Sequence, residues 1–548
     1  MRAIFSQRNV ALGVSALAHV LLALVLFSIV FVSRVGTLGT LITSEFSSNL
    51  ENELSFVDSV GDSSDADASF ISPSSLDDLE LDRLLQDVAE VSSAVEGVDA
   101  DEISDSIGDF TSSDPTQDLE AASGSLPFYT KKGAASGRTV AGRSKGAPGR
   151  QGDATKESED AVERGLDWLA RHQLPDGGWA FDLTQKDSNG REGACNGRCS
   201  NSTATSGGTE TVNYKLFPNR TAATAVALLP FLGAGYTHTE TNKYQKTVAA
   251  GVRFLQYNAQ TNDEGEIDFR AGFTADGSAY IQALCVLVCC EAYEMTKDPN
   301  LKPLASGGLK KIENAQLADG GWRYYFPGDL NFHSNLHGDT SALGWQMLAL
   351  KSGISAGFSV RPSVAYRAGN FLDLVVSKDS RTYKYKPDLE EKKATMWGTT
   401  AVGVLIREYL GWEPGDPRLD AGAKQIAAWV DSSDAIWQRA KKGARGEKTR
   451  ANALTYYRDD RFVFNLYFAY YAALALHNYG GDLWKTRFAK LRELLVETQV
   501  RGNSLLGSCE SGSWLFYDKY MNDGGRLLNT SLAILILETP YRYLPMYQ

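Results

Sequence analysis

The sequence predicts an all-α protein: an (α/α)6 toroid of six helical hairpins, preceded by one transmembrane helix and a disordered linker. Three observations lead there. The string Gln173-x-x-Asp176-Gly177-Gly178-Trp179 recurs as Gln316-x-x-Asp319-Gly320-Gly321-Trp322. Amphipathic helical runs alternate with runs that are apolar on every side. An unbroken apolar stretch stands near the N-terminus.

That stretch runs from Val10 to Val32, interrupted only by residues such as Ser15, His19 and Ser28. At about 1.5 Å per residue it is long enough to cross a hydrocarbon core of roughly 30 Å. Arg2 and Arg8 precede it and Arg34 follows. No small-x-small cleavage pattern comes after it, so it reads as a signal anchor rather than a cleaved signal peptide. Positive-inside reasoning then places residues 1–9 in the cytoplasm. The rest would lie in the periplasm or an equivalent exported compartment.

Residues 33–158 read as a linker. Its first part is acidic, as in Asp62-Ser63-Ser64-Asp65-Ala66-Asp67, and offers too little apolar surface to fold alone. Leu76, Leu79, Leu84, Val88, Val91 and Val95 mark a possible short helix at 75–96. The end turns basic and Gly-rich, from Lys131 to Arg150. A solvated tether is the plain reading, and docking on acidic lipid or polymer the other.

Residues 159–548 alternate in helix type. The predicted pairs are 161–173 with 221–235, 244–257 with 277–295, and 307–316 with 340–352. Then come 362–376 with 395–410, 419–437 with 462–479, and 484–500 with 527–537. Hairpins with one amphipathic and one uniformly apolar helix can close into a ring, the apolar helices inside. A degenerate third copy of the repeated string runs from Gln499 to Gly512-Ser513-Trp514. In each, a Gln at a helix end can satisfy orphan backbone groups and Gly-Gly permits a turn. Gln173, Asp176, Gly178, Trp179, Gln316, Asp319, Gly321 and Trp322 are therefore read as structural.

These strings resemble the Gln-Trp repeat of squalene–hopene cyclases, lanosterol-type cyclases and protein prenyltransferase β subunits. The resemblance covers roughly Glu159 to Leu537 and implies a terpenoid cyclase-like toroid. The stretches 220–233, 338–346 and 541–545 are more closely similar to membrane-anchored planctomycete prenyltransferase/squalene-oxidase-repeat proteins, a likeness that implies no particular activity.

Cyclases of this fold protonate an alkene with an aspartic acid in a D-x-D-D-T-A string. Here Leu336-His337-Gly338-Asp339-Thr340-Ser341-Ala342 stands in a comparable context, with Leu336 and Gly338 in place of two acids. Asp339 is thus a catalytic candidate and, equally, a helix N-cap candidate. The Asp-x-Cys string of prenyltransferase zinc sites does not occur, and the six histidines stand singly, so neither a metal nor a cofactor is expected. Cys195 and Cys199 bracket a three-residue turn that suits a local disulfide, though free thiols and metal ligation remain open. Trp345, Trp397, Tyr457, Tyr467, Tyr470 and Tyr471, with Asp459 and Asp460, are candidates to line a cavity; simple core packing is the alternative.

The net charge of −12 argues against nucleic acid as a partner. The expectation is a membrane-anchored protein binding an apolar or polymeric ligand, such as lipid, isoprenoid, polysaccharide or peptide. The alternative is a cyclase- or prenyltransferase-type enzyme with a non-standard acid motif. Oligomeric state is not legible.

Overall fold

The computed structural model describes residues 126–133, 153–195, 197–199, 216–329, 332–333, 336–389, 397–444, 464–501, 509–516, 522–544 and 546–547. The span expected at 10–32, the helix at 75–96, and Tyr457, Asp459 and Asp460 lie outside these. Among the described residues no helix is long and apolar enough to cross a membrane.

Twelve α-helices are described: α1 (Lys156–Arg171), α2 (Arg220–Gly233), α3 (Gln245–Asn258), α4 (Ser278–Thr296), α5 (Leu301–Asn314), α6 (Thr340–Ala356), α7 (Pro362–Val375), α8 (Trp397–Tyr409), α9 (Pro417–Ala444), α10 (Leu466–Tyr479), α11 (Gly481–Thr498) and α12 (Gly525–Arg542). The even-numbered helices pack side by side in the order α2, α4, α6, α8, α10, α12 and back to α2. They form a closed inner ring, and the odd-numbered helices lie outside it. Among the described residues strand is confined to one small hairpin, in which Gln260–Thr261 pairs antiparallel with Ile267–Asp268.

Burial explains the two helix types. Along α2 every residue from Thr221 to Gly233 is buried, whereas α3 buries one face through Val248, Gly251, Val252, Phe254 and Leu255. Side-chain caps fix several starts. Asn219, Asp339 and Asn465 accept from the backbone N–H groups of Ala222, Ala342 and Phe468. Helix α1 begins at Lys156 rather than near Glu159, because Thr155 and Ser158 form a reciprocal capping box.

The repeated string has one geometry in three places. The amides of Gln173, Gln316 and Gln499 each donate to the carbonyl of a glycine in their own turn, Gly177, Gly320 and Gly512. Each also donates to a carbonyl of the next outer helix, at Thr247, Val364 and Ala161. The indole N–H groups of Trp179, Trp322 and Trp514 donate back to Leu169, Ile312 and Leu495 at 2.8 Å. Gly320 adopts φ +90°, and a Cβ there would lie 1.9 Å from the carbonyl oxygen of Arg367. Only glycine fits that turn.

The opposite end of the ring is capped by a segment inside the expected tether. Pro127–Tyr129 form a turn of 3-10 helix with Phe128 fully buried. Lys351, on α6, donates to the carbonyls of Pro127, Phe128 and Thr130 at 2.6, 3.0 and 2.7 Å. Gly133 donates to Leu544, and Tyr409 donates to the Gly133 carbonyl. Residues 126–133 are therefore part of the folded body. Their anchor is a lysine buried on an inner helix.

Candidate functional site

The connections between helices are unequal. Those leading from an outer to an inner helix span 172–219, 259–277, 315–339, 376–396, 445–465 and 499–524. Those leading back out span only 234–244, 297–300, 357–361, 410–416 and 480. All the long connections therefore meet the ring at the N-terminal ends of the inner helices. Long connections on a rigid scaffold are the usual carriers of binding surface.

At this end of the ring the buried Asp339 is the hub. Its backbone N–H donates to the Trp322 carbonyl, while Oδ1 accepts from Ala342 N at 2.7 Å and Ser341 Oγ at 2.5 Å. Oδ2 lies 3.4 Å from Arg323 Nη1. Burial raises the Asp339 carboxyl above its ordinary value, opposed by Arg323 and by these hydrogen bonds. Asp339 thus caps α6 and holds Arg323.

Tyrosine hydroxyls surround it. Tyr280 OH shares a 2.8 Å hydrogen bond with Ser341 Oγ, and Tyr467 OH donates to the Ser341 carbonyl. Arg323 Nη1 donates to Tyr385 OH at 3.1 Å, and Tyr385 OH is hydrogen-bonded to Tyr324 OH. The Arg323 guanidinium also lies 4.6 Å from the centre of the Tyr324 ring. Burial raises the hydroxyls of Tyr280 and Tyr467 well above the ordinary tyrosine value.

Two aromatic sets can be distinguished by exposure. Trp345 stacks on Tyr470 with centroids 5.5 Å apart and meets Tyr471 edge-on; all three are buried. Tyr280, Tyr467, Arg323, Ser341, Trp397, Phe217 and Phe273 are only partly buried. Trp397 stacks on Trp429 with centroids 5.2 Å apart.

The residues not foreseen are Arg323, Tyr280, Tyr324 and Tyr385. Arg323 and Tyr324 directly follow the second Gly-Gly-Trp string. Phe181 and Phe516 stand, like Tyr324, two residues beyond a repeat tryptophan and are also buried. That offset was the available signal.

Cys195 and Cys199, a disulfide candidate pair in the sequence, stand in the structure as free thiols. Their sulfurs turn instead toward Cys509 and His172, and the four potential ligand atoms lie within 4.8 Å of one another. Cys509 belongs to the degenerate third repeat and His172 ends α1. Neither singly placed residue carries a metal signature in the sequence.

No protein-family model matches the chain, and no curated protein matches it. Solved structures do. An inactive variant of an alpha-1,6-mannanase of Salegentibacter sp., bound to alpha-1,6-mannotriose, is 14% identical with a TM-score of 0.42, covering 70% of this chain and 99% of its own. An alpha-amylase from Clostridium perfringens is 12% identical with a TM-score of 0.41, covering 70% and 98%. A variant type II terpene cyclase from Scytonema, bound to its product merosterolic acid A, is 10% identical with a TM-score of 0.39, covering 71% and 98%.

Proposed function

We propose that this chain is a membrane-tethered binding protein whose exported toroid takes a hydroxyl-rich polymer, an envelope glycan, at the mouth of its inner ring. The observation that carries the reading is the partly buried group Tyr280, Tyr467, Ser341 and Arg323 around a carboxylate already committed to a helix cap. Ring faces with hydroxyl edges suit a sugar, which is apolar on one face and polar around its rim. Trp345, Tyr470 and Tyr471, which would suit an isoprenoid chain, are packed against one another. The apolar run at 10–32 would supply the tether, and the long connections around the mouth would supply further contacts.

A second reading has one observation in its favour. Burial raises the Asp339 carboxyl, as a general acid acting on an isoprenoid would need. Against it, both Asp339 oxygens have partners that hold the charged form.

The test is a calorimetric titration of the detergent-solubilised full chain with a panel of neutral and acidic envelope oligosaccharides and of polyprenyl lipids. Saturable binding of oligosaccharide, with none of polyprenol, supports the glycan reading. Binding of polyprenol alone overturns it.

A further inference from the structure

We infer that His172, Cys195, Cys199 and Cys509 form a structural zinc site that clasps the first hairpin of the ring to the last. The four ligand atoms already stand almost as a tetrahedral ion would hold them. His172 Nε2 lies 3.2 Å from Cys199 Sγ and 3.6 Å from Cys509 Sγ. Cys509 Sγ lies 3.1 Å from Cys199 Sγ and 3.5 Å from Cys195 Sγ. Zinc–sulfur bonds of about 2.3 Å and a zinc–nitrogen bond of about 2.0 Å put tetrahedral donors roughly 3.5–3.8 Å apart. The donors need only spread slightly from these separations to admit the ion.

The histidine is prepared for this role. Its Nδ1 lies 2.7 Å from the Trp168 carbonyl oxygen, which can only accept, so Nδ1 carries the proton. Nε2 then presents its lone pair to the sulfurs. A carbonyl partner on the far ring nitrogen is the usual support of a zinc-bound histidine. The ring is further held flat against Trp168, with centroids 4.0 Å apart. His172, Cys195 and Cys199 are buried.

The backbone around the sulfurs is tied as well. Cys199 N–H donates to Cys195 Sγ at 3.4 Å across a turn in which Gly197 takes φ +72°. Such N–H···S bonds favour a thiolate. Arg198 donates to the carbonyls of Ala194 and Cys195, bringing a cation beside a centre that three thiolates and one divalent zinc leave with one negative charge. Arg171 donates to the carbonyls of Cys509 and Ser511, fixing the third strand of the clasp.

Three thiols and one imidazole fill a tetrahedral shell, so no position is left for water or substrate, and the site is structural rather than catalytic. Its place in the fold supplies the purpose. His172 ends α1, Cys195 and Cys199 lie in the connection to α2, and Cys509 lies in the connection from α11 to α12. The separations of 310 to 337 residues between Cys509 and its partners span the whole ring. A cross-link there restrains the unfolded chain by closing a long loop. Binding exchanges three thiol protons for one zinc ion and involves no change of oxidation state.

The test uses the detergent-solubilised full chain, purified without chelator. Elemental analysis is expected to find about one zinc per chain, and Cys509→Ser and His172→Ala to lower that ratio several-fold. Stripping with a thiol reagent and chelator, followed by one equivalent of Co2+, should give a thiolate-to-cobalt charge-transfer band and intense tetrahedral d–d bands. Added Zn2+ should abolish those bands, and this readout does not depend on a variant folding. Failure of the wild-type chain to take up either metal overturns the proposal. So does peptide mapping that finds a disulfide between any two of the three cysteines in material holding no metal.

Discussion

The Gln499 amide donates 2.8 Å to the carbonyl of Ala161, joining residues 338 apart in sequence. It is the ring-closing member of a set whose other members, Gln173 with Thr247 and Gln316 with Val364, join consecutive hairpins. Gln499→Ala leaves two buried carbonyls, of Ala161 and Gly512, without that donor, at a cost of about 1–3 kcal/mol. Calorimetry should show the melting temperature falling by a few degrees, and hydrogen exchange should rise selectively along α1 and α12. Unchanged exchange at α1 would mean that the seam does not depend on this residue.

The pair Asp176 and Arg220 gives a signed pH dependence. Burial alone would raise the Asp176 carboxyl, but a bidentate Arg220 and the N–H groups of Ser188 and Gly178 hold it well below the usual carboxylate range. A depressed pKa contributes stability that is complete above the unfolded value of about 3.9 and is lost as pH falls toward the folded value. Asp176→Asn keeps an acceptor for Gly178 but removes the charge. It should cost about 2 kcal/mol at pH 7, and the gap from wild type should narrow as pH drops below 4. A gap independent of pH would show that the charge contributes nothing.

Lys351 holds residues 126–133 on the end of the ring. Lys351→Met removes the donors to three carbonyls while keeping most of the apolar stem. Limited trypsin digestion should then cut at Lys131 and Lys132 several-fold faster, with the helical body intact. Equal cutting rates would show that the segment does not depend on Lys351.

Much of the ring can be read from local pattern. Helices such as α2 and α4 are apolar on all sides, and a sequence of that kind must be surrounded by protein. Gly-Gly turns mark where outer helices end. What eludes such reading is proximity across the ring. Cys509 meets His172 over 337 residues, and Lys351 meets Pro127 over 224. Nothing in either local sequence names its partner. The candidate site is hidden for a related reason: Arg323 meets Asp339 through the backbone bridge between Trp322 and Asp339, and Tyr280 meets Ser341 only because α4 packs on α6.

Cation-initiated cyclisation needs a proton donor strong enough for an unactivated double bond. Asp339 instead accepts from Ala342 and Ser341 and lies beside Arg323. Incubation of the purified chain with squalene in detergent should yield no polycyclic product above a heat-killed control. Product that disappears in Asp339→Asn would establish cyclase chemistry and displace the binding reading.

The most direct measurement compares three variants for equilibrium binding of the oligosaccharide selected in the titration. Tyr280→Ala and Tyr467→Ala remove ring faces at the mouth and should each weaken binding about tenfold, or about 1.4 kcal/mol. Asp339→Asn retains a good N-cap for α6 and should bind within about twofold of wild type. Wild-type affinity in both tyrosine variants would contradict a ligand-binding mouth at the N-terminal ends of the inner helices.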